Sequence, residues 1–501
     1  MTHNRSVLQA TLVLSPSPSL AYMCKEHMEL KLEANRRQTR RLSLRTNTNH
    51  GIDSFILKFP PEIASHIFFF SMIKRDYEPD SLSLKKLPTP YILGSVCRGW
   101  RHLALSTPRL WSTISFTLSK PPPKAKNLEA LLQLIEDWLH RSRSTPLKLW
   151  VFKHIGREPP LSEEQCGPII DALNRHSGRW HTLCLALTNP SLFRLFCGTS
   201  PPSNLRRLHL TSPNRGKPPI FKMNSRPSPI HLGIQNMSIS NIDVIWENVQ
   251  SLYLKASHRS LDFNACIELM QRAPSLKFCS LVSTNMTSGI STTHLPQTPQ
   301  TIVKHTRLRK LELLSCCPVD TLSRFLDSME LPSLEELHYQ GDTDILAKSV
   351  VSLINRSGIP LKVLKLRLDE EEPAMEDINT LLNAVPYLQT FQLRLQRSGP
   401  RTAFIMDDLF IQLSSSPPVL EDGATPGLLL NLRSLKLYSG EGYKFDCIPD
   451  IFSWPHRKML HLLVDGSRPV VLDDDTTRKV TSLVAQGRKI RILRNGKYFS
   501  N

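Results

Sequence analysis

The chain has 501 residues, of which 40% are hydrophobic and 21% are charged, and this balance excludes a disordered or fibrous protein. No apolar run approaches the ~20 residues that a membrane helix needs. The 63 Lys and Arg outnumber the 44 Asp and Glu, and the net charge of +19 indicates either an acidic partner or a charged surface that serves solubility. The 10 scattered cysteines contain no Cys-x-x-Cys pair, so we expect reduced thiols in an intracellular compartment rather than a disulfide framework or a zinc site.

Residues 1–50 mix Ser, Asn, Thr and Arg with little sustained periodicity, which predicts a disordered basic and polar segment. Its densest run of positive charge is Lys31–Arg45, KLEANRRQTRRLSLR. A nuclear import signal and a solvated tail both fit this run, and the residues alone do not separate the two.

Residues 55–118 form the next block, which is predicted to be a small helical domain. In Phe59–Phe70, FPPEIASHIFFF, two prolines followed by an acid suit the first turn of a helix, and Ile63 and Ile67 lie four apart on one face. The stretch Leu93–Ala104 follows the helical spacing of apolar residues and predicts another helix. Its apolar face comprises Leu93, Val96, Cys97, Trp100, Leu103 and Ala104. After STPRLW turns the chain, Leu110 and Trp111 lead into an apolar strand, STISF.

Short helices of this kind can bury only part of their apolar side chains against one another. Each large side chain left exposed forgoes roughly 1.5–3 kcal/mol of burial free energy. An uncovered apolar face on so small a unit is typical of a partner site. The block therefore predicts a docking surface.

Cys97 is the one residue of this block that invites a chemical interpretation. Arg98, Arg101 and His102 are its neighbours in sequence and could lower the pKa of the thiol. Its place on the predicted apolar face argues for burial instead. The chain also lacks Gly-x-Gly-x-x-Gly, a Walker lysine loop and Gly-x-Ser-x-Gly. We therefore expect no catalytic residue, no cofactor and no metal.

The order and spacing of these residues resemble an F-box, in particular that of fungal F-box-like proteins. The matching stretches are FPPEI at 59–63, VCRGWRHLA at 96–104 and PRLW at 108–111. Phe59 stands where the family usually has leucine, and the middle segment is longer than usual. The resemblance implies the substrate-recruiting subunit of a Skp–cullin–F-box ubiquitin ligase. Skp contacts are implied for Pro60, Ile63, Ile67, Leu93, Val96 and Trp100. Packing within the F-box is implied for Phe68, Cys97, Leu103, Leu110 and Trp111.

A proline-rich stretch, SKPPPKAK, opens a predicted linker and connecting helix over residues 119–145. Residues 146–501 then repeat the motif Leu-x-x-Leu-x-Leu and its close variants. Most copies start about 25 to 32 residues apart, and two intervals of about 44 contain Pro-rich or Ser-rich stretches. The copies are Trp180–Leu185, Leu205–Leu210, Val249–Leu254, Leu276–Leu281, Leu308–Leu313, Leu334–Tyr339, Leu361–Leu366, Leu388–Leu393 and Leu432–Leu437. Weaker matches to the motif start at Lys148, His461 and Lys489.

Between these motifs the apolar spacing becomes helical, as in DTLSRFLDSMELP, EDINTLLNAVPYL and NACIELMQRAPSL. A strand motif of this kind at this period is the signature of leucine-rich repeats, in which neighbouring units bury one another's apolar faces. The predicted fold class is α/β: a small N-terminal three-helix F-box followed by a leucine-rich-repeat-like α/β solenoid. An ordinary α/β domain with buried strands is the alternative.

Two classes of function follow from these predictions. The first is an adaptor that docks a Skp-family protein, and through it a cullin, while the repeats hold an unknown protein substrate. The second is a basic scaffold or nucleic-acid-associated repeat protein without a ligase role. An F-box protein that binds Skp but has lost ligase function is a third possibility. We expect no membrane partner and a cytoplasmic or nuclear location.

Overall fold

The computed structural model is mixed α/β, with a long parallel sheet. It describes residues 58–72, 89–118, 125–153, 162–201, 204–213, 219–256, 263–283, 302–314, 319–341, 346–368, 374–395, 400–415, 428–439, 446–457, 459–466, 473–494 and 497–498. The predictions made for residues 1–50 lie outside these ranges. The chain divides into two compact units, Met1–Asn204 with Met223–Ser225, and Leu205–Lys222 with Arg226–Asn501.

The described part of the first unit starts with three helices and continues with alternating strands and helices. The elements are α1 (Pro61–Met72), α2 (Thr89–Val96), α3 (Arg98–Ser106), a 3-10 turn (Pro108–Trp111), β1 (Thr113–Leu118), α4 (Ala125–Arg141), β2 (Leu147–Lys153), α5 (Glu163–Asn174) and β3 (Trp180–Ala186). Strand β2 pairs in parallel with both β1 and β3. Parallel neighbours require crossover connections, and α4 and α5 provide them.

The second unit repeats the alternation of strand and connection many times. Its elements are β4 (Arg207–Thr211), β5 (His231–Gln235), β6 (Ser251–Ala256), α6 (Phe263–Arg272), β7 (Phe278–Ser283), β8 (Val303–Lys304), β9 (Lys310–Leu314), α7 (Val319–Asp327), β10 (Met329–Glu330), β11 (Glu336–Gly341), α8 (Val351–Ser357), β12 (Val363–Leu368), α9 (Met375–Asn383), β13 (Thr390–Leu395), α10 (Pro400–Ser415), β14 (Ser434–Ser439), α11 (Ile448–Ile451), β15 (His461–Gly466), α12 (Asp474–Ala485), β16 (Lys489–Arg494) and β17 (Lys497–Tyr498). From β4 to β16 the main strands pair in parallel in sequence order, while β8 and β10 form a separate pair.

The register of this sheet explains why the leucine motif recurs. Because side chains alternate along a strand, the second and third leucines of each Leu-x-x-Leu-x-Leu motif, which are two residues apart, face the same side of the sheet. Leu311 of β9, for example, lies beside Leu337 of β11, and Leu364 of β12 follows in the same row. All three side chains are buried. The alternate positions form the other face of the sheet, which we call the open face, and they are polar in most strands.

The helices between the strands cover the apolar side of the sheet as their spacing predicts. In α7 the side chains of Leu322, Phe325 and Leu326 are buried, and α9 buries Ile378 and Leu381 in the same way. The helical spacing within NACIELMQRAPSL predicts that Ile267, Leu269 and Met270 share the buried face of α6. The structure instead buries Cys266 there and leaves Ile267 half-exposed.

All of the predicted strand motifs overlap observed strands, and the three weaker matches to the motif lie in β2, β15 and β16. Strand β5 was missed. It lies in the first long interval, where prolines and Gly233 read as a loop, yet Leu232 and Ile234 alternate into the core like the leucines of its neighbours. Among the described helices, none is long and apolar enough to cross a membrane.

Candidate docking surfaces

Helix α1 has two apolar faces, of which only one is covered. Ala64 and Phe68 lie four residues apart and are buried, and the ring of Phe68 lies 4.8 Å from that of Trp100 on α3. On another face, at the spacing i, i+4, i+7, Ile63, Ile67 and Phe70 are 47%, 40% and 66% exposed. The buried face fixes the helix on its neighbour, and no described residue covers the exposed face.

Contacts at the end of α3 hold α1 in this orientation. The guanidinium of Arg109 lies 3.9 Å from the centre of the Phe69 ring. The hydroxyl groups of Ser65 and Thr107 share a hydrogen bond of 3.1 Å. Both contacts bind α1 to the turn that follows α3, so the rotation of α1 about its own axis is determined by polar as well as apolar contacts.

The predicted single helix over Leu93–Ala104 is wrong, because the chain breaks at Cys97. This residue has extended backbone angles, with φ −152° and ψ 175°, and α3 starts at the next residue. Its sulfur accepts a hydrogen bond of 3.4 Å from the backbone N–H of Trp100. Cys97 therefore caps the N-terminus of α3, and the other five residues predicted for one continuous face are divided between two helices.

Arg101 joins the two helices across this break. Its Nε donates a hydrogen bond of 2.9 Å to the carbonyl oxygen of Gly94, near the end of α2. The last carbonyls of a helix have no partner within the helix, so the guanidinium satisfies one that the break leaves unpaired. From the sequence alone, Arg101 stands out only as a charged neighbour of Cys97.

Trp111 is the centre of an aromatic cluster that joins the helices to α4. It is fully buried, and its Nε1 donates a hydrogen bond of 2.8 Å to the carbonyl oxygen of Ala104. The rings of Trp138 and Tyr91 lie 4.8 Å and 5.2 Å away. Arg141 donates a hydrogen bond of 2.6 Å to the Tyr91 hydroxyl. Burial raises the pKa of that hydroxyl, while the charge of Arg141 acts against the rise.

The structure divides the predicted partner contacts into two groups. Pro60, Ile63, Ile67 and Val96 are exposed, and Val96 is 51% exposed. Leu93 and Trp100 are half-buried, and Trp100 packs on Phe68. Exposed Ile92 on α2 was missed, although it lies four residues before Val96 and the helical spacing could have indicated it.

The residues predicted to pack within the block lie mainly inside it. Leu103 and Leu110 are buried, as are Phe68 and Trp111. Cys97 is half-buried at the helix break. Trp138 and Arg141 complete the core of the block but belong to the predicted linker region, so their contribution could not be inferred from the block alone.

The open face of the second unit carries a compensated charge cluster on β9 and β11. Glu312 accepts hydrogen bonds from Nδ1 of His338 at 2.9 Å and from Nζ of Lys310 at 3.0 Å. Lys310 also lies 3.7 Å from a carboxylate oxygen of Glu336. Burial alone would raise the pKa of Glu312, but the hydrogen bonds to its carboxylate, led by that from His338, outweigh it together with the charge of Lys310 and bring the pKa to about 2.

A second feature of the open face is a stacked pair of rings on β4 and β6. The rings of His209 and Tyr253 are 6.4 Å apart and inclined by 26°. Gly233 of β5 lies between them in register, and a Cβ at this position would overlap Nδ1 of His209. The strand between the two rings therefore has to carry glycine.

Neither cluster has the composition of a metal site. Among the described residues, no group of three or more His, Cys, Asp or Glu side chains is placed to hold a metal ion. The described cysteines are free thiols. Comparison with protein-family models finds no match for this chain, and comparison with curated proteins also finds none.

Proposed function

We propose that the chain is a non-catalytic adaptor of a Skp–cullin–F-box ubiquitin ligase. In this proposal α1, α2 and α3 form an F-box-like module that docks a Skp-family protein. The strands and helices that follow are leucine-rich-repeat-like units that hold a protein substrate. The observation that carries the proposal is the uncovered face of α1, formed by Ile63, Ile67 and Phe70.

The energetics of that face support a partner. Ala64 and Phe68 already supply the contacts that hold α1 in place, so the three exposed side chains contribute little to folding. Because they are already partly buried, each would gain roughly half of the 1.5–3 kcal/mol that full burial of such a side chain contributes. Val96 and Ile92 add two exposed apolar side chains on α2. A helix face of this kind is typical of helix-in-groove recognition.

An adaptor needs no reactive side chain of its own. By holding ligase and substrate in one complex, it raises the effective concentration of the substrate lysines near the transferred ubiquitin. The aligned open-face side chains of the parallel sheet offer a surface on which a substrate can bind. This role would be carried out in the cytoplasm, the nucleus or both.

Copurification with a Skp-family protein tests the proposal. We expect the wild-type chain to bind and Ile63→Asp to weaken binding by about thirtyfold or more, because the variant places a charge in the centre of an apolar contact. Ile411→Asp is the matched control, since Ile411 is 49% exposed on α10, a helix of the second unit. Absence of binding by the wild type, or equal losses in both variants, would contradict the proposal.

A further inference from the structure

The open face changes its charge balance along the second unit. On β9 and β11 the charged side chains pair with one another, as the contacts of Glu312 with His338 and Lys310 show. From β12 to β16 the open-face positions carry far more cations than carboxylates. The lysines and arginines there are Lys365, Arg367, Arg394, Lys436, Lys489 and Arg491. The single carboxylate is Asp465.

We call the open face of β12–β16 the basic face. Several of its cations are adjacent in register, and Arg367 of β12 lies directly beside Arg394 of β13. Like charges placed directly across neighbouring strands destabilise a sheet. The described residues form no ion pair with Lys365, Lys436 or Lys489. These three lysines therefore carry positive charge that the described part of the chain does not neutralise.

The environment of His461 shows how closely these cations approach one another. His461 of β15 lies directly beside Lys489 of β16, and Lys436 of β14 lies diagonally from it, one open-face position along from Ser434, the register partner of His461. Burial lowers the pKa of its imidazole, and the charges of Arg491, Lys436 and Lys489 lower it further. The positive field therefore extends across at least three strands.

From this arrangement we infer that the basic face binds an extended acidic segment of a polypeptide, rich in Asp or Glu. This inference rests on the proposed function, because it names the class of substrate that an adaptor of this kind would recruit. Lys365 and Lys436 occupy the same row on strands two apart, which places them roughly 9–10 Å from each other. Neutral Gln392 lies between them.

The composition of the face favours a polypeptide over a nucleic acid. Leu463 interrupts the row of cations between Lys436 and Arg491, and Asp465 lies two residues further along the same strand. A polypeptide can place an apolar side chain against Leu463, whereas a phosphodiester backbone carries a charge at every nucleotide. Nucleic-acid sites also use aromatic rings for base stacking. The Tyr438 ring of this face is already covered by Arg394, whose guanidinium carbon lies 4.6 Å from the ring centre.

Fluorescence anisotropy with the purified full chain tests this inference. The probe is a fluorescein-labelled peptide of alternating glutamate and alanine, and the comparison peptide has glutamine in place of glutamate. We expect binding of the glutamate peptide alone. The variant Lys365→Glu/Lys436→Glu/Lys489→Glu should weaken it by roughly thirtyfold, because close charge pairs at an interface are strongly coupled.

The matched control is Lys222→Glu/Arg307→Glu/Arg324→Glu, which changes the net charge equally at exposed positions of the second unit away from the basic face. We expect less than about a threefold loss for this variant, since distant exposed charges are screened by salt. Equal losses in both variants, or no binding of the glutamate peptide, would overturn the inference. Tighter binding of a labelled single-stranded RNA that is lost in the basic-face variant would also overturn it and assign the face to nucleic acid.

The result is separable from the proposed adaptor role, because peptide binding is measured without a Skp-family protein. Retained Skp binding with no peptide binding would reject the acidic substrate class alone. Retained peptide binding with no Skp binding would reject the adaptor role and leave the basic face as an independent site for acidic peptides. Circular dichroism of the three proteins establishes that each variant is folded before either comparison is made.

Discussion

The ring of Phe68 on α1 lies 4.8 Å from the ring of Trp100 on α3, and this contact determines which side of α1 faces outward. Phe68 and Phe70 are only two residues apart, yet one is buried and the other is 66% exposed. The difference arises because residues two apart on a helix do not share a face. The pair therefore separates a side chain that stabilises the fold from one that is available to a partner.

Substitution of these two phenylalanines should affect the free energy of unfolding to very different extents. We expect Phe68→Ala to reduce the free energy of unfolding by about 3–5 kcal/mol, because it opens a cavity against Trp100. Phe70→Ala should change it by less than about 0.5 kcal/mol. Urea denaturation followed by tryptophan fluorescence measures both. Similar losses in the two variants would mean that α1 does not pack as described.

Gly233 should not tolerate a side chain, because a Cβ would overlap His209, and a second substitution can remove that overlap. In Gly233→Ala the new Cβ would overlap the imidazole of His209, so we expect a loss of about 1–3 kcal/mol in unfolding free energy. Adding His209→Ala removes the obstacle. The double variant should then lose less unfolding free energy than the sum of the losses in the two single variants. Thermal unfolding of the four proteins measures the coupling. Additive losses would show that the two side chains do not meet.

Much of the fold could be predicted from the sequence because the leucine motif reports the sheet directly. Leu364 and Leu366 of β12 alternate into the core, and this local alternation is enough to predict the strand and its place in the row of neighbouring strands. Strand β5 was not predicted, because the proline-rich stretch that precedes it and Gly233 within it are both typical of a loop. The glycine serves a long-range contact with His209 that no local pattern can show.

The candidate docking surface was only partly predictable for a similar reason. The spacing of Ile63 and Ile67 correctly placed both on one face, and their exposure is consistent with a partner site. The break at Cys97 could not be read from the apolar spacing, which continues through it. It depends on the sulfur that caps α3 and on the Arg101 contact with Gly94, and both contacts are made only in the folded chain.

The indole of Trp111 should contribute a hydrogen bond that the indole of Trp100 does not. Trp111→Phe removes the donor to the Ala104 carbonyl, and we expect a loss of about 1–3 kcal/mol in unfolding free energy. Trp100→Phe is the matched control, since its Nε1 has no hydrogen-bond partner among the described residues. It should therefore cost less than Trp111→Phe in the same urea titration. A larger loss at Trp100 would assign the greater role to ring packing.

The Glu312 carboxylate should make stability depend on acid pH. Its pKa of about 2 in the folded protein lies below the ordinary value of 4.5, so the unfolded state binds the proton more readily. The contribution is fully present above pH 4.5 and is lost as pH falls from there towards 2. After allowance for solvent screening we expect it to be about 1–2 kcal/mol.

Glu312→Gln isolates this contribution, because the variant keeps the size of the side chain and removes its titration. We expect it to be less stable than the wild type at pH 7 and to approach the wild type as the pH falls, since protonation removes from the wild type the charge that the variant already lacks. Glu335→Gln is the control, because Glu335 pairs with Lys362 at 3.4 Å in a more exposed position. Thermal unfolding across the acid range measures the difference between each variant and the wild type. A difference for Glu312→Gln that stays constant with pH would show that His338 and Lys310 do not hold the carboxylate in its charged form.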